Sequence, residues 1–478
     1  MKRQTRFVAL LGPIFPLIDA KRHDKIKLTC FVFACMTRFL LLLFILFAPT
    51  FASFSQELLT LENAISVALE KNYAIKIARS REAIAHNDNT RGNAGMLPVV
   101  TGSTQANFNN NSVNQTFFPL GTTTREPLIQ RGVQNRNSNS GINLVWTVFD
   151  GMGMFATAER LREIEQFGKT TVKINIENTV AQVAAAYYDI IRQKQRLESL
   201  KDALDISSTR RELAKANYEV GATSKSEYLA AQVDYNGDQA ALVAQEQFLQ
   251  NTKVTLNALL MRDLNLDFTT PDTITFRKDL DLVQLQQSLK SQNPNLLAAN
   301  QNRKIASVTE REIKAARLPQ VDLLGSYTYN TLNNEVGFGV KTSRTGSLNY
   351  GARLVIPIYD GYNQRRREAN AKIGTMIAEY QESDLMVQLL SALERTYNTY
   401  RNSIALFSFE EQNLKIARQN VDLAFERYKF GNSTAIEFRE AQRNAVATES
   451  RLIEAAYNVK VTEIELLRLS SSIISDVK

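Results

Sequence analysis

The chain has 478 residues, with 57 Lys and Arg against 49 Asp and Glu, two Cys, two His and one Trp. Its 44% hydrophobic and 22% charged side chains exclude global disorder, and the length by itself suggests about three domains. The charge of +8 is concentrated at the start, because residues 1–55 carry eight basic and two acidic side chains; the remaining 49 against 47 excludes a basic body built for nucleic acid.

The first element is an address. Phe39–Phe47 is a wholly apolar run of nine residues, preceded by Arg38 and followed by small residues at Ser53 and Ser55. A basic start, a short apolar core and a small-residue exit predict an export signal over residues 1–55. Nine apolar residues are too few to span a bilayer as a helix. Met36 begins a compact version of the same signal and is read as the true start, with a retained signal anchor as the alternative. Cys30 and Cys35 both precede the apolar run, where a lipid-anchored cysteine would follow it. The 423 residues left after removal contain no Cys and one histidine, His86, so disulfide and thiolate chemistry are excluded.

The body reads as two copies of one unit, residues 56–270 and 271–478. Leu61, Asn72, Ile84-Ala85 and Leu97-Pro98 recur 221 residues later as Leu282, Asn293, Ile305-Ala306 and Leu318-Pro319. Asp150-Gly151, Tyr187, Tyr218, Gly221, Glu227 and Ala231-Gln232 recur 210 residues later as Asp360-Gly361, Tyr397, Tyr428, Gly431, Glu437 and Ala441-Gln442.

Within each copy, a hairpin comes first (99–149 and 320–357). Ile142, Leu144, Trp146 and Val148 alternate with Asn143 and Thr147; Val321, Leu323, Tyr327 and Tyr329 with Asp322, Ser326 and Thr328; Leu348, Tyr350, Ala352, Leu354 and Ile356 with Asn349 and Arg353. Val100–Phe108 alternates more weakly. Each apolar alternation is about nine or ten residues, the span of a tilted membrane strand. The polar segments Asn109–Ser140 and Thr331–Ser347 are expected to be exposed loops.

A long helix follows in each copy, 153–220 and 362–430. No proline falls in 128–270 or 358–478, so both stretches are free of helix breakers. Ile176, Val180, Val183, Tyr187 and Ile190, then Leu197, Leu200 and Leu204, step by fours and threes as a coiled-coil seam does. At about 1.5 Å per residue such a helix approaches 100 Å. Gly221 and Gly431 stop these helices. Ser224 with Glu227, and Thr434 with Glu437, have capping-box spacing and start the return helices 224–260 and 434–470. Four membrane strands cannot close a barrel, and open edges are not tolerated in lipid. Three chains bring twelve strands; two chains bringing eight remains the competing count.

The duplication, the two strand hairpins, the long helices and the tip pattern Tyr-x-x-Gly-x-x-Ser/Thr-x-x-Glu together resemble the outer-membrane efflux protein family, the TolC-like exit ducts. The resemblance covers nearly all of the chain after the signal. It implies a mixed, mainly α fold with a transmembrane β-barrel: a trimeric 12-stranded barrel in the outer membrane of a Gram-negative bacterium, continued through the periplasm by a long α-helical barrel. It implies a passive duct without cofactor, a homotrimer docking to a periplasmic adaptor and an inner-membrane pump, in efflux or type I secretion. Drugs, metal ions and polypeptides remain open as cargo.

In the family, acidic residues six and nine positions past the second-tip glycine narrow the periplasmic mouth. The resemblance carries this pore constriction to Glu437 and Glu440, with Glu227 as the first-copy counterpart. It carries the gate network to Tyr428 and to Ser433, which stands where the family has an arginine; Arg439, between the two carboxylates, is the candidate substitute. It carries adaptor docking to the tips, Gly221, Ala222 and Ser224 with Gly431, Asn432 and Thr434. The competing reading is a structural coiled-coil or adhesin-like envelope protein. An enzyme is excluded on the chemistry present after the signal: no Cys, one His and no phosphate-loop or metal-ligand spacing, Asp150-Gly-Met-Gly153 being a strand-to-helix turn.

Overall fold

A computed structural model describes residues 57–119, 121–124, 126–335 and 340–476. The expected export signal, residues 1–55 with its alternative start at Met36, lies outside the described residues. The elements in chain order are β1 (Glu57–Leu58), α1 (Leu61–Lys71), α2 (Tyr73–Asp88), β2 (Val99–Gln115), β3 (Leu128–Phe149), α3 (Gly153–Glu219), α4 (Lys225–Leu259), β4 (Phe268–Thr269), α5 (Leu282–Gln292), α6 (Pro294–Ala315), β5 (Gln320–Asn334), β6 (Thr342–Val355), α7 (Asn363–Lys429), α8 (Ala435–Leu469) and α9 (Ile473–Asp476).

The internal repeat is visible in backbone detail. The helices α3 and α7 each have 67 residues, and α4 and α8 each have 35. Left-handed backbone recurs at the same offset of 210: Gly151 and Gly361, Met152 and Tyr362, Gly221 and Gly431, Met261 and Ser471. At about 1.5 Å per residue α3 and α7 are each roughly 100 Å long. No described helix is long and apolar enough to cross a membrane.

The strands form one antiparallel sheet in the order β2-β3-β5-β6. Its register aligns the alternations of the separate strands. Gly102, Ile142, Tyr327 and Leu348 form one row across the sheet, and Val100, Leu144, Gly325 and Tyr350 another; between them lie Thr101, Asn143, Ser326 and Asn349 on the opposite face. One face is therefore mainly apolar and aromatic, with Tyr350 87% exposed, and the other is mainly polar. On the polar face Asp322 is fully buried by its partners, accepting from Thr147 Oγ1 at 2.9 Å, Gln320 Nε2 at 2.9 Å and Arg353 Nη2 at 2.8 Å.

The strands correct the expected lengths. They run to 17, 22, 15 and 14 residues, and much of the expected loop sequence is strand. The ladder continues past the apolar band through pairs such as Asn109 with Asn135 and Ser138 with Thr331. Backbone pairing does not require apolar alternation, so a sheet polar on both faces leaves no period-two trace in sequence. At about 3.3 Å per residue, 17 residues extend roughly 56 Å, well beyond a tilted crossing of a 30 Å bilayer core. The strands β2 and β6 are the edges of the sheet.

Between sheet and tips, the helices stack end to end. Asn72 caps the start of α2 by accepting from Ala74 N–H, and its amide donates to the Leu259 carbonyl at the end of α4. Asn293 does the same between α6 and α8, accepting from Asn295 and Leu296 and donating to Leu469. The main core gathers where the two-residue parallel pair β1–β4 crosses α3: Val180, Val183, Tyr187, Ile190 and Ile191 of α3 pack with Leu59, Leu256, Leu260, Phe268 and Leu467. Tyr187 donates to the Leu59 carbonyl at 2.9 Å, and burial pushes its hydroxyl up to about 12. Its repeat mate Tyr397 donates to the Leu280 carbonyl at 3.2 Å. Nothing in the sequence pattern marks β1 and β4, because two residues are too few to carry a period.

Candidate functional site at the hairpin tips

Each tip begins with a Schellman stop. Gly221 N–H bonds to the Tyr218 carbonyl and Ala222 N–H to Asn217; Gly431 and Asn432 repeat this with Tyr428 and Arg427. The glycines sit at φ 76° and 74°, the left-handed region that a Cβ disfavours. Ser224 and Thr434 then accept from the N–H groups of Glu227 and Glu437, which caps α4 and α8. The reciprocal half of the expected capping box is replaced. Glu227 Oε1 accepts from the Tyr428 hydroxyl at 3.2 Å, and Glu437 Oε2 accepts from Ser433 Oγ at 2.6 Å.

The Tyr428–Glu227 bond joins the two tips of one chain. Tyr428 is 8% exposed and lies flat on Phe438, with ring centres 5.8 Å apart. Phe425, Val421 and Ala441 of the same hairpin and Ile206 and Leu213 of α3 complete this cluster. Burial, with the Glu227 carboxylate beside it, raises the hydroxyl above its usual range and keeps it a neutral donor.

Behind the tip, Arg439 does not reach toward Glu437 or Glu440. Its guanidinium grips Asp238 with both nitrogens, at 2.7 and 2.8 Å, and lies 3.5 Å from Asp234. Asp234 also takes the almost fully buried Arg210 of α3 at 2.8 Å. Ser207 donates to Asp238, and Gln442 donates to Ser207 at 3.1 Å and to the Ala203 carbonyl at 2.8 Å. The bond to Asp238 raises the Arg439 guanidinium further, so α8 is clamped against α3 and α4 by fixed charges.

Ser433 approaches Glu437 on its own hairpin, while Glu437 and Glu440 are exposed in the first turns of α8. Gly221, Ala222, Ser224, Gly431, Asn432 and Thr434 are exposed at the tips. Among the described residues no group of three or more His, Cys, Asp or Glu side chains is placed to hold a metal ion.

Asp234, Asp238, Ser207, Arg210 and Gln442 were not legible as site residues. The sequence trace that identifies four of the five is a break in the repeat. At the offset of 210, Ser207, Arg210, Asp234 and Asp238 fall on Ala417, Asn420, Asn444 and Thr448, and Arg439 falls on Leu229. The clamp occupies positions where the copies differ, whereas the tyrosine, glycine and glutamate of the tip occupy positions where they agree.

The family model described as outer membrane efflux protein matches residues 64–261 and again residues 285–471. The chain is 23% identical over 423 residues to the outer membrane efflux protein BepC of Brucella suis, covering 87% of this chain and 86% of that protein. It is 23% identical over 296 residues to the outer membrane protein TolC of Vibrio cholerae, covering 61% and 67%. Among solved structures, the outer membrane channel CmeC of Campylobacter jejuni superposes with a TM-score of 0.72 at 14% identity, over 86% of this chain and 85% of that one. The outer membrane protein VceC of Vibrio cholerae gives 0.69 at 18% identity, over 86% and 95%. With both of its repeats matched and its fold shared with outer-membrane channels, the chain belongs to the outer membrane efflux protein family, a passive exit duct of the outer membrane and not an enzyme.

Proposed function

We propose that three copies assemble as a twelve-stranded barrel continued by a helical conduit, and that the tips dock a periplasmic adaptor and through it an inner-membrane pump, in efflux or type I secretion. The observation that carries this reading is the four-stranded sheet whose two edges, β2 and β6, pair with no further strand among the described residues. Unpaired backbone groups cost several kcal/mol each in hydrocarbon, so each edge needs an edge from another copy. In this reading Glu437 and Glu440, with Glu227 behind them, narrow the mouth. Threefold repetition turns each into a ring of like charge that attracts cations. The mouth opens when α7 and α8 swing outward at the second tip.

The test is the purified protein in planar bilayers. Replacing Glu437 and Glu440 with Ala lowers cation selectivity. Unchanged selectivity removes both residues from the constriction, and a lack of any conductance in the parent protein removes the duct reading.

A further inference from the structure

The within-chain bond between the tips contains more information than one contact. Tyr428 belongs to the second hairpin and Glu227 to the first. Their repeat mates at the offset of 210 are Tyr218 and Glu437, so the first hairpin has the tyrosine and the second has the carboxylate needed for the same bond in the opposite order. Within the chain this second pair is not used. Tyr218 is 38% exposed and stacks on Tyr228, 6.1 Å between ring centres, as Tyr428 stacks on Phe438. Tyr228 and Phe438 are themselves repeat mates. The tyrosine of the first tip is therefore held in the same aromatic seat, with its hydroxyl lacking a partner among the described residues, and the Glu437 carboxylate is exposed.

In any closed ring of copies the hairpins alternate, first, second, first, second. Because the hairpins are copies of one unit, each position in the contact between the two hairpins of one chain has a matching position between the first hairpin of that chain and the second hairpin of a neighbour. We infer that the Tyr218 hydroxyl donates to the carboxylate of the partner subunit's Glu437, so that the seam between copies repeats at the mouth the Tyr428–Glu227 bond found within each copy.

The charged clamp behind the tip has no counterpart at that seam, because Arg439, Asp234, Asp238 and Arg210 map onto Leu229, Asn444, Thr448 and Asn420. Leu229 is 51% exposed in the single chain, as a residue awaiting cover would be. The seam between copies thus keeps the tyrosine bond and replaces the clamp with neutral side chains. This assignment rests on the ring assembly proposed above.

The experiment uses the absence of cysteine after residue 35. Cysteines replace Tyr218 and Glu437 in one chain, and Tyr428 and Glu227 in a second. A short bismaleimide is used, because the tyrosine hydroxyl lies too far from its own Cβ for a direct disulfide. Native mass measurement of each uncrosslinked variant establishes the assembly independently. The expected result is that Y218C/E437C shifts from monomer to dimer and trimer bands, while Y428C/E227C crosslinks and stays at monomer mass. If Y428C/E227C crosslinks and Y218C/E437C, still assembled, gives no between-chain bands, the inference is overturned. If native mass shows only single chains, the ring reading fails and takes the inference with it. As a second measurement, Y218F and E437Q each raise channel conductance, and the double variant matches a single one; additive effects mean the two groups do not meet.

Discussion

The side-chain amide of Asn72 donates to the Leu259 carbonyl at 3.3 Å, and Asn293, its repeat mate, donates to the Leu469 carbonyl at 2.8 Å. Each asparagine thus caps one helix with its oxygen and closes the end of another with its nitrogen. The start of α2 is thereby tied to the end of α4, and the start of α6 to the end of α8, and both helices of each pair pack against the long helix of their repeat, α3 or α7.

Replacing Asn293 with Ala removes an N-cap, worth about 1 kcal/mol, and leaves a buried carbonyl without its donor, worth a further 1–3 kcal/mol approximately. Asn293 is 2% exposed and Asn72 6%, so the loss at Asn293 is at least as large. Urea denaturation of the detergent-solubilised protein, followed by far-UV circular dichroism, reads this directly. A midpoint equal to that of an exposed Asn to Ala control contradicts the joint.

Arg439 is a candidate for a large effect. Its charge is paired with Asp238 and Asp234 at side-chain exposures of 13%, 18% and 20%. Arg439→Ala leaves two carboxylates crowded together and costs about 3 kcal/mol. Arg439→Lys recovers only part of that, because an ammonium cannot make the two-pronged contact. Proteolysis at the tips, which follows local opening, increases in the order wild type, Lys, Ala; equal rates for Lys and wild type argue against a role for the fork.

Acid acts first where a carboxylate is held ionised. Glu165 accepts from Lys169, Asn89 and His86, and these bonds, Lys169 foremost, lower its carboxyl to about 2. A lowered folded-state value means the stabilisation is complete above the unfolded value near 4.5 and is lost as pH falls toward 2. Between those limits, thermal unfolding of the wild type falls more steeply with pH than that of Glu165→Gln. Parallel curves for the two proteins show that Glu165 is not a site of acid sensitivity.

Adaptor docking at the tips has a direct assay. Cysteines at Ala222 and Asn432 are expected to crosslink to a periplasmic adaptor in an active complex, and cysteines midway along α4 are not. An active complex that yields no crosslink from either tip places the docking surface elsewhere.

Much of this molecule is written locally. The absence of proline, the glycine stops and the Ser224 and Thr434 caps specify long helices and tight tips, because helix propagation and capping depend on neighbours in sequence. The duplication is legible because two constant offsets carry it. The apolar alternation marks the strand segments where one face meets lipid, and it falls silent where β2 and β3 continue as polar ladder, since backbone pairing has no side-chain period there. Packing alone brings together residues 200 or so positions apart, such as Tyr428 with Glu227 and Arg439 with Asp238. Sequence placed Arg439 between two glutamates on the chain, yet helix geometry turns it to the opposite partner, where a guanidinium can satisfy two aspartates at once. Which carboxylate a side chain meets is set by how the two hairpins pack, and that packing is a property of surfaces, not of spacing.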